Sequence, residues 1–320
     1  MNIGIIGAGA FGTGLANALA TQNPISLWGR DAQLIETMQS ERENARRLPG
    51  VVLHPNVTCT HSLVHGLQAD VLLLCLPTQQ LAAFVQNNAN KLAGKILIAC
   101  CKGVDLATGK GPVDVIHSIL PTASAGILTG PSFAIDIAKG LPTALTLAMD
   151  DSDLVLEVQR ALSTSNLRLY TTDDVQGAQL GGALKNVIAI GCGAIMGAGL
   201  GDSARAALIT RGFAETQRFA DAMGARPETL SGLSGFGDMT LTCTCDKSRN
   251  YRFGYAMGAG TEWTSTETVE GRSTAYAVKA IAASKNIDMP IAQTLCALMD
   301  GDITLQQATV ALLSRPLTQE

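Results

Sequence analysis

The first half of the chain alternates apolar runs that predict strands with longer stretches that predict helices. Continuous apolar runs such as 71–76 indicate strands buried on both faces, as in a parallel sheet covered by helices. The alternation therefore predicts a doubly wound α/β domain. The predicted strands are Asn2–Gly7, Ile25–Trp28, Val57–Thr60, Asp70–Pro77, Lys95–Lys102, Ala125–Thr129 and Thr143–Met149, and the predicted helices are Phe11–Thr21, Asp31–Ala45, Gln79–Leu92 and Asp151–Leu162.

Beyond about Thr172 the pattern changes, and only helical periodicity remains. Asp173 and Asp174 are suited to cap a long helix that carries Lys185. We therefore expect an all-helical second domain and place the boundary near residue 180, which gives domains of residues 1–180 and 181–320. The further helices are predicted at Ser203–Met223, from Pro227 onward, and at Thr274–Lys285, Ile291–Met299 and Thr304–Leu313.

The composition is that of a globular chain with a large interior. Of the 320 residues, 47% are hydrophobic and 16% are charged, which excludes disorder for most of the chain. A net charge of −4 and a pI of about 5.6 argue against a general nucleic-acid binder. The segment 175–201 has Lys185 as its only charge, but the uncharged part after it is too short to span a membrane. We therefore expect a buried helix there.

Cysteine usage and the N-terminal residues predict the compartment. No pair of the eight cysteines has C-x-x-C spacing, and several lie in apolar runs, so we expect buried free thiols under reducing conditions. Met1 leads directly into an apolar strand with no basic region or cleavage site, so no signal peptide is predicted. We expect a cytoplasmic protein. His61 and His65 lie one helical turn apart, but no third ligand is in view, so no metal site is predicted.

The strand at the N-terminus leads into a glycine-rich turn. Gly7-Ala8-Gly9-Ala10-Phe11-Gly12 has the spacing G-x-G-x-x-G between a strand and a helix. Gly7 permits the tight turn, Gly9 lets the backbone approach a pyrophosphate, and Gly12 lets the helix pack against the strand. The N-terminus of the helix adds donors and a positive dipole end. We therefore predict a Rossmann-type dinucleotide-binding domain.

The residues after the second strand bear on the choice between NAD and NADP. This chain has Trp28-Gly29-Arg30-Asp31 there. The guanidinium of Arg30 can hold a 2′-phosphate and stack on adenine, whereas Asp31 is either an acid that accepts from the ribose or a helix N-cap. We favour NADP(H), with NAD(H) as the alternative.

Polar groups also occur where the surrounding pattern does not require them. Lys185-Asn186 lies within an apolar helix rich in glycine, where a buried lysine needs a carboxylate partner, although a lone lysine on a helix commonly extends to the surface. Asp238 is either a functional carboxylate or a helix N-cap, and Arg249 is either a phosphate ligand or a surface arginine. Together these residues predict a reductase for a small phosphorylated ketone. The other stretches of this kind are Lys102-Gly103, Gly130–Ala134, Gly235–Thr242 and Ser248–Asn250.

These motifs, in this order, resemble the NAD(P)-dependent glycerol-3-phosphate dehydrogenase family. The likeness runs from the first glycine turn to about Gln307, which makes it far more specific than a single G-x-G-x-x-G. The matching segments are Gly7–Gly12, Leu48–Gly50, Gly130–Ala134, Leu180–Ile190, Arg205–Gly212, Gly237-Asp238 with Leu241–Cys243, Ser248–Asn250 and Val269–Gly271.

The resemblance implies a reaction centre and two binding sites. Lys185 would be the catalytic lysine and Asp238 its charged partner, with Lys102 and Thr242 completing the centre. These lysines and Asp238 would also contact the substrate, together with Gly130, Ser132, Ser248, Arg249 and Asn250. Cofactor contacts are implied for Gly7, Gly9, Ala10, Phe11, Gly12, Trp28, Arg30, Lys102, Ala134, Arg249, Thr268 and Glu270. Thr268 departs from the family pattern, because bacterial members often have valine there.

The activity implied by the resemblance is the reversible reduction of dihydroxyacetone phosphate to sn-glycerol 3-phosphate, which feeds glycerophospholipid synthesis. A homodimer is also implied. Two other interpretations stay open from the residues. One is a 3-hydroxyacid or ketopantoate-type reductase, which has the same two-domain plan and would bind a carboxylate. The other is a non-catalytic NAD(P)H sensor, which would not need Lys102, Lys185 and Asp238 together.

Overall fold

The computed structural model describes residues 1–265 and 267–313. An eight-stranded sheet occupies the first half, and the described residues after it form helices and no further strand. Its strands are β1 (Ile3–Ile6), β2 (Ile25–Trp28), β3 (Val57–Thr60), β4 (Val71–Leu74), β5 (Ile96–Ala99), β6 (Ser124–Thr129), β7 (Thr143–Met149) and β8 (Leu167–Thr172).

Eight helices accompany the sheet in the described residues, and the others form the second half. The first eight are α1 (Ala10–Leu19), α2 (Ala32–Glu41), α3 (Leu63–Gly66), α4 (Thr78–Asn87), α5 (Ala89–Leu92), α6 (Pro112–Ile119), α7 (Ala134–Ala138) and α8 (Ser152–Leu162). The second half contains α9 (Val175–Gly197), α10 (Gly201–Ala222), α11 (Pro227–Ser231), a π-helical turn (Leu233–Gly237), α12 (Asp238–Cys243), α13 (Arg249–Ala259), α14 (Glu270–Lys285), α15 (Pro290–Asp300) and α16 (Leu305–Leu313).

The sheet has the strand order β3-β2-β1-β4-β5-β6-β7-β8, and the first six of these strands are parallel. Apolar residues pack on both faces, with Leu15 and Val158 on one side and Leu81 and Ile116 on the other. The direction of chain progression reverses between β1 and β4, so a crevice for a ligand opens at the carboxyl ends of these strands. The predicted Rossmann-type domain and the helical region that follows it are confirmed.

The far end of the sheet differs from the sequence prediction. β7 runs antiparallel to β6. The segment that connects them contains only the short helix α7 and returns into the sheet at the same end of the strands. β8 was not predicted. Its residues Leu167 and Leu169 are buried, while Arg168 between them and Tyr170 after them are exposed, as expected for an edge strand, so it lacks a continuous apolar run.

Two of the predicted helices are shorter than expected. α2 ends at Glu41 because Arg42 adopts a left-handed conformation with φ 55°, and the Arg42 guanidinium donates to the carbonyls of His54 and Val57. The stretch predicted as one helix at 79–92 is divided at Asn88 into α4 and α5.

Helix α9 is the centre of the helical half. Its apolar residues form one core with α10, α12, α13, α14 and α15. Glycines allow the closest approach: a Cβ on Gly193 would lie 2.0 Å from the carbonyl oxygen of Tyr251, and one on Gly254 would lie 1.9 Å from that of Ile190. Among the described residues, α9 alone is long and apolar enough to cross a membrane, but 83% of its most apolar window is buried. The expected buried helix is confirmed. The predicted domain boundary at residue 180 lies inside it, so this division of the chain remains a prediction.

Candidate active site at the carboxyl edge of the sheet

The glycine turn after β1 has the geometry of a pyrophosphate cradle. Gly7 has φ +119°, and a Cβ there would lie 2.4 Å from the carbonyl oxygen of Cys75. A Cβ on Gly12 would lie 2.1 Å from the carbonyl oxygen of Gly7, so this position needs glycine for packing. Gly9 is the N-cap of α1, and no atom of the described residues outside its own turn lies within 4 Å of its Cβ position. The backbone donors at the start of α1 therefore face open space, which fits a dinucleotide.

The end of β2 forms the adenosine side of this crevice. Trp28 is half-buried, and its Nε1 donates to the carbonyl of His61 at 3.1 Å. Arg30 is exposed. Asp31 is the N-cap of α2, since its carboxylate accepts from the Leu34 amide at 3.1 Å. The guanidinium of Arg46 lies 3.7 Å from the other oxygen of Asp31, so this carboxylate is already engaged on two sides.

A single carboxylate joins two lysines where the sheet meets the helical half. Lys102 Nζ donates to Asp238 Oδ2 at 2.7 Å and to the carbonyl oxygen of Gly130 at 2.8 Å. Lys185 Nζ donates to Asp238 Oδ1 at 2.9 Å and to Thr242 Oγ1 at 2.6 Å. The Asp238 side chain is 1% exposed, against 9% for Lys185 and 14% for Lys102, so the carboxylate lies behind the two ammonium groups. The four residues expected at the reaction centre therefore form one cluster.

Three separate elements bring these four side chains together. Lys102 follows β5, Lys185 lies in the middle of α9, and Asp238 and Thr242 lie one turn apart on α12. Asp238 is the first residue of α12 rather than its N-cap, which is Gly237. Its carboxylate is therefore taken up by the two lysines and by the Thr242 hydroxyl, which donates at 3.2 Å. Lys185 does not extend to the surface, because its side chain is buried and paired.

The three charges shift one another's protonation. Burial favours the neutral form of Asp238, but the ammonium groups of Lys102 and Lys185 outweigh it and hold the pKa of this carboxyl below its usual value. Burial, and to a smaller extent the charge on Lys102, lowers the pKa of Lys185 from 10.5 to about 8 against the attraction of Asp238. Lys185 therefore titrates close to physiological pH, as expected for a group that gives and takes a proton.

A chain of amide hydrogen bonds braces this cluster. Asn186 Nδ2 donates to the carbonyl of Lys102 at 3.0 Å, and Asn250 Nδ2 donates to Asn186 Oδ1 at 2.8 Å. The Gly271 amide donates to Asn250 Oδ1 at 2.9 Å. No role was predicted for Asn186, although its position beside Lys185 in an apolar helix was a visible signal. The chain ties β5, α9, α13 and α14 together around the lysines.

The residues expected to bind phosphate border the same crevice. Ser248 is buried and caps α13, accepting from the Tyr251 amide at 3.2 Å, which leaves its O–H able to donate. Arg249 is exposed, whereas Asn250 is buried within the amide chain. Gly130 has φ +136°, and Ser132 Oγ donates to its carbonyl at 3.1 Å.

The remaining predicted cofactor contacts connect the two sides of the crevice. The ring centroid of Phe11 lies 6.0 Å from Lys102 Nζ, between the glycine turn and the lysines. A Cβ on Gly14 would lie 2.6 Å from the carbonyl oxygen of Ala134, so α7 packs directly on α1. Ala10 begins α1, and Thr268 is exposed.

Glu270 reaches from α14 to the sheet edge. Its Oε1 accepts from the Thr78 amide at the start of α4 at 3.1 Å. Burial raises the pKa of Glu270, and this hydrogen bond and the charge on Arg249 oppose the rise. Arg249 therefore lies close enough to influence the same crevice. Sequence reasoning did not find Thr78, because its contribution is a backbone amide.

Among the described residues, no group of His, Cys, Asp and Glu side chains is arranged to hold a metal ion. His61 lies outside α3, and its Nδ1 lies 3.8 Å from a carboxylate oxygen of Glu36.

Comparisons with known proteins agree on one family. Residues 2–155 match the family model described as NAD-dependent glycerol-3-phosphate dehydrogenase N-terminus, and residues 174–310 match the C-terminus model of that name. The chain is 55% identical to glycerol-3-phosphate dehydrogenase [NAD(P)+] from Roseobacter denitrificans and 52% identical to that from Ruegeria sp., with 100% of both chains covered in each case. The crystal structure of glycerol-3-phosphate dehydrogenase from Coxiella burnetii is similar with a TM-score of 0.93 at 33% identity, and the match covers 98% of this chain and 99% of that one.

Proposed function

This chain belongs to the NAD-dependent glycerol-3-phosphate dehydrogenase family, and we propose that it reduces dihydroxyacetone phosphate to sn-glycerol 3-phosphate with Lys185 as the proton donor. The observation that carries the mechanism is the buried Asp238 carboxylate shared by Lys185 and Lys102. It lies at the crevice into which the glycine turn opens, so a nicotinamide and a small ketone can meet there.

Lys185 acts on the carbonyl oxygen of the substrate. When bound in the crevice, the nicotinamide would supply a hydride to the ketone carbon, and negative charge would develop on the carbonyl oxygen. The ammonium group of Lys185 stabilises that charge and donates its proton, a contribution typically worth about 10²–10⁴-fold for a general acid. A pKa of about 8 keeps most of Lys185 protonated at neutral pH while leaving the proton easy to transfer.

The neighbours of Lys185 orient and charge it. Asp238 holds the ammonium group in place and favours its protonated form, and Thr242 Oγ1 accepts a second of its N–H groups. One N–H direction then remains for the substrate oxygen. Lys102 is fixed by Asp238 and the Gly130 carbonyl, and its charge lowers the pKa of Lys185 and attracts the anionic substrate.

The phosphate of the substrate is bound by the start of α13. Arg249 offers a planar set of donors at the mouth of the crevice, and a bidentate contact with phosphate is the strong form of such a bond. The Ser248 hydroxyl and the second N–H of Asn250 complete the set. Binding at this distance from the carbonyl fixes the ketone in register for the reaction.

NADP(H) is the preferred cofactor in this proposal. Arg30 is exposed beyond the end of β2, where a 2′-phosphate would lie, and Asp31 is occupied as the cap of α2 and by Arg46. An acid committed in this way is a poor acceptor for the ribose 2′-hydroxyl, which supports NADP(H) over NAD(H).

One spectrophotometric assay tests the proposal. NADPH and NADH consumption would be followed with dihydroxyacetone phosphate, with unphosphorylated ketones and with keto acids. We expect the highest kcat/KM for NADPH with dihydroxyacetone phosphate. A preference for keto acids would favour the 3-hydroxyacid or ketopantoate-type reductase, and cofactor binding without turnover of any substrate would favour the sensor.

The homodimer and the cytoplasmic location stay predictions. Light scattering of the purified chain tests the first, and fractionation of the cells that express it tests the second.

A further inference from the structure

Two thiols that the proposed reaction does not use lie side by side at the carboxyl ends of β4 and β5. The register pairs Leu74 with Ala99, and the Cys100 amide donates to the Leu74 carbonyl at 3.1 Å, so Cys75 and Cys100 occupy the next pair of positions. Both side chains belong to the core on the same face of the sheet. Neighbouring strands are about 4.8 Å apart, which lies within the range of Cα separations that disulfides span.

This thiol pair lies directly beneath the glycine turn. A Cβ on Gly12 would lie 3.2 Å from Cys75 Cβ, and one on Gly7 would lie 2.4 Å from the Cys75 carbonyl oxygen. The turn therefore rests on Cys75 with no spare room. A change in the position of Cys75 has to be transmitted to the backbone that faces the pyrophosphate.

The two thiols differ in access. Cys75 is partly exposed, whereas Cys100 is buried. The neighbouring Cys75 thiol and burial raise the pKa of Cys100 well above its usual value, and Cys100 Sγ itself donates to the carbonyl oxygen of Ile98 at 3.7 Å. Cys75 is thus the sulfur that a dissolved oxidant reaches first, and Cys100 is the neighbour within reach of it.

We propose that Cys75 and Cys100 form a reversible disulfide when the protein meets hydrogen peroxide, and that this cross-link weakens binding of the nicotinamide cofactor. The sulfur of Cys75 attacks one peroxide oxygen, the O–O bond breaks, and water leaves with a sulfenic acid formed on Cys75. The sulfur of Cys100 then attacks that of Cys75, the S–O bond breaks, and a second water leaves with the Cys100 proton. Two thiols are oxidised to one disulfide, and one peroxide is reduced to two waters.

The effect on the cofactor follows from the bond length. An S–S bond of about 2.05 Å is much shorter than a contact between two thiols, so its formation draws the ends of β4 and β5 together. This movement displaces Cys75 relative to the glycine turn that packs on it, and in either direction it disturbs the backbone that faces the pyrophosphate. This part of the proposal relies on the dinucleotide site proposed above.

The chain contains matched controls for the chemistry. Cys192 and Cys243 are also neighbouring thiols, since Cys192 contributes to the raised pKa of Cys243, but both are fully buried, so an oxidant cannot reach them in the folded protein. Cys245 is partly exposed, and its thiol contacts the Asp246 carboxylate. It reports on oxidation of an accessible thiol elsewhere on the protein.

The test treats the purified full-length chain with hydrogen peroxide and compares it with the untreated chain. Intact mass should fall by about 2 Da, and non-reducing peptide mapping should find Cys75 linked to Cys100. The Kd for NADPH, from fluorescence titration, should rise by about tenfold and return with dithiothreitol. Cys75→Ala and Cys100→Ala should each abolish the mass loss and the Cys75–Cys100 link, and Cys75→Ala should also abolish the peroxide-dependent rise in Kd. Cys245→Ala should leave the link and the rise in Kd as they are in the wild-type chain.

Two results would overturn the proposal. One is the absence of a Cys75–Cys100 link after treatment, and the other is a linked protein that binds NADPH as tightly as before. Each variant is compared with itself before and after oxidation, so a change in its basal affinity does not obscure the outcome. A reduced wild-type chain that fails to bind NADPH would instead contradict the proposed function.

Discussion

The glycine turn and the lysine–aspartate cluster lie in one crevice but are built in opposite ways. The turn offers backbone groups to an open space: within the described part of the chain no packing atom lies within 4 Å of the Gly9 Cβ position, and Arg30 beyond it is exposed. The cluster works through buried charge, with a carboxylate that is 1% exposed between two ammonium groups. The first site is arranged to bind a ligand from solvent, and the second is arranged to shift protonation in a region that water does not screen.

Removing the buried charge should give the largest effect. Lys185→Ala should lower kcat by about 10³–10⁴-fold, because it removes the proton donor and the positive charge next to the developing oxyanion. The Kd for NADPH should stay nearly unchanged, since the glycine turn does not depend on Lys185. Steady-state kinetics and fluorescence titration measure the two quantities.

Lys185→Met serves as a second variant in case the shorter side chain leaves an unstable cavity. Lys279→Ala, which removes an exposed lysine from α14, is the matched control. Turnover near the wild-type rate in either Lys185 variant would contradict its assignment.

Truncation at the phosphate site should give the next largest effect. Arg249→Ala should raise the KM for dihydroxyacetone phosphate by about 10–100-fold, as expected when a charged hydrogen bond of about 1.5–3 kcal/mol is lost. Arg252→Ala is the control on the same helix, because that guanidinium is already paired with Glu267. An unchanged KM would mean that the phosphate is held elsewhere.

The pH dependence separates the buried site from the exposed one. The acid form of Lys185 is required for reduction, and its pKa of about 8 lies below the usual 10.5. The kcat/KM for ketone reduction should therefore be constant below this pKa and fall by about tenfold per pH unit above it. NADPH affinity should not follow that profile. A reduction rate that stays constant up to pH 10 would contradict a general-acid role for Lys185.

The smallest effect is expected at the adenosine end, where the side chain is exposed. Arg30→Ala should weaken NADPH binding by about tenfold while leaving NADH binding nearly unchanged, because only the 2′-phosphate contact is lost. Arg160→Ala, on the exposed side of α8, is the matched control. An equal loss of affinity for NADPH and NADH would indicate that Arg30 stacks on adenine and does not bind the 2′-phosphate.

The same contrast explains what could be predicted from the sequence. The glycine turn is local: its residues are adjacent in the chain, and each has a role that its spacing reveals. The cluster is not local, since Lys102 and Lys185 lie 136 and 53 positions from Asp238. The residues alone indicated only that Lys185 needs a carboxylate partner, and the family resemblance was required to name Asp238 as that partner.

Other features were beyond sequence reasoning for physical reasons. β8 alternates in burial as an edge strand and has no continuous apolar run. The orientation of β7 depends on how a short connection folds back at the sheet edge. The role of Asp31 as a cap was left open, because a carboxylate at that position fits both a helix start and a ribose. The bracing by Asn186 depends on contacts with three other elements.

Helix α9 also determines how this protein can move. It begins beside the sheet at its cap Asp174, whose carboxylate also accepts from the Arg226 amide at 2.9 Å, and it continues without interruption to Gly197. A hinge within α9 would break the backbone hydrogen bonds of the helix. Close contacts at its glycines also hold α9 against α13. The connection that α9 makes between the sheet and the helical half is therefore rigid. Lys185 lies near the middle of this rigid helix, so its position is fixed and the cofactor and substrate must move to it.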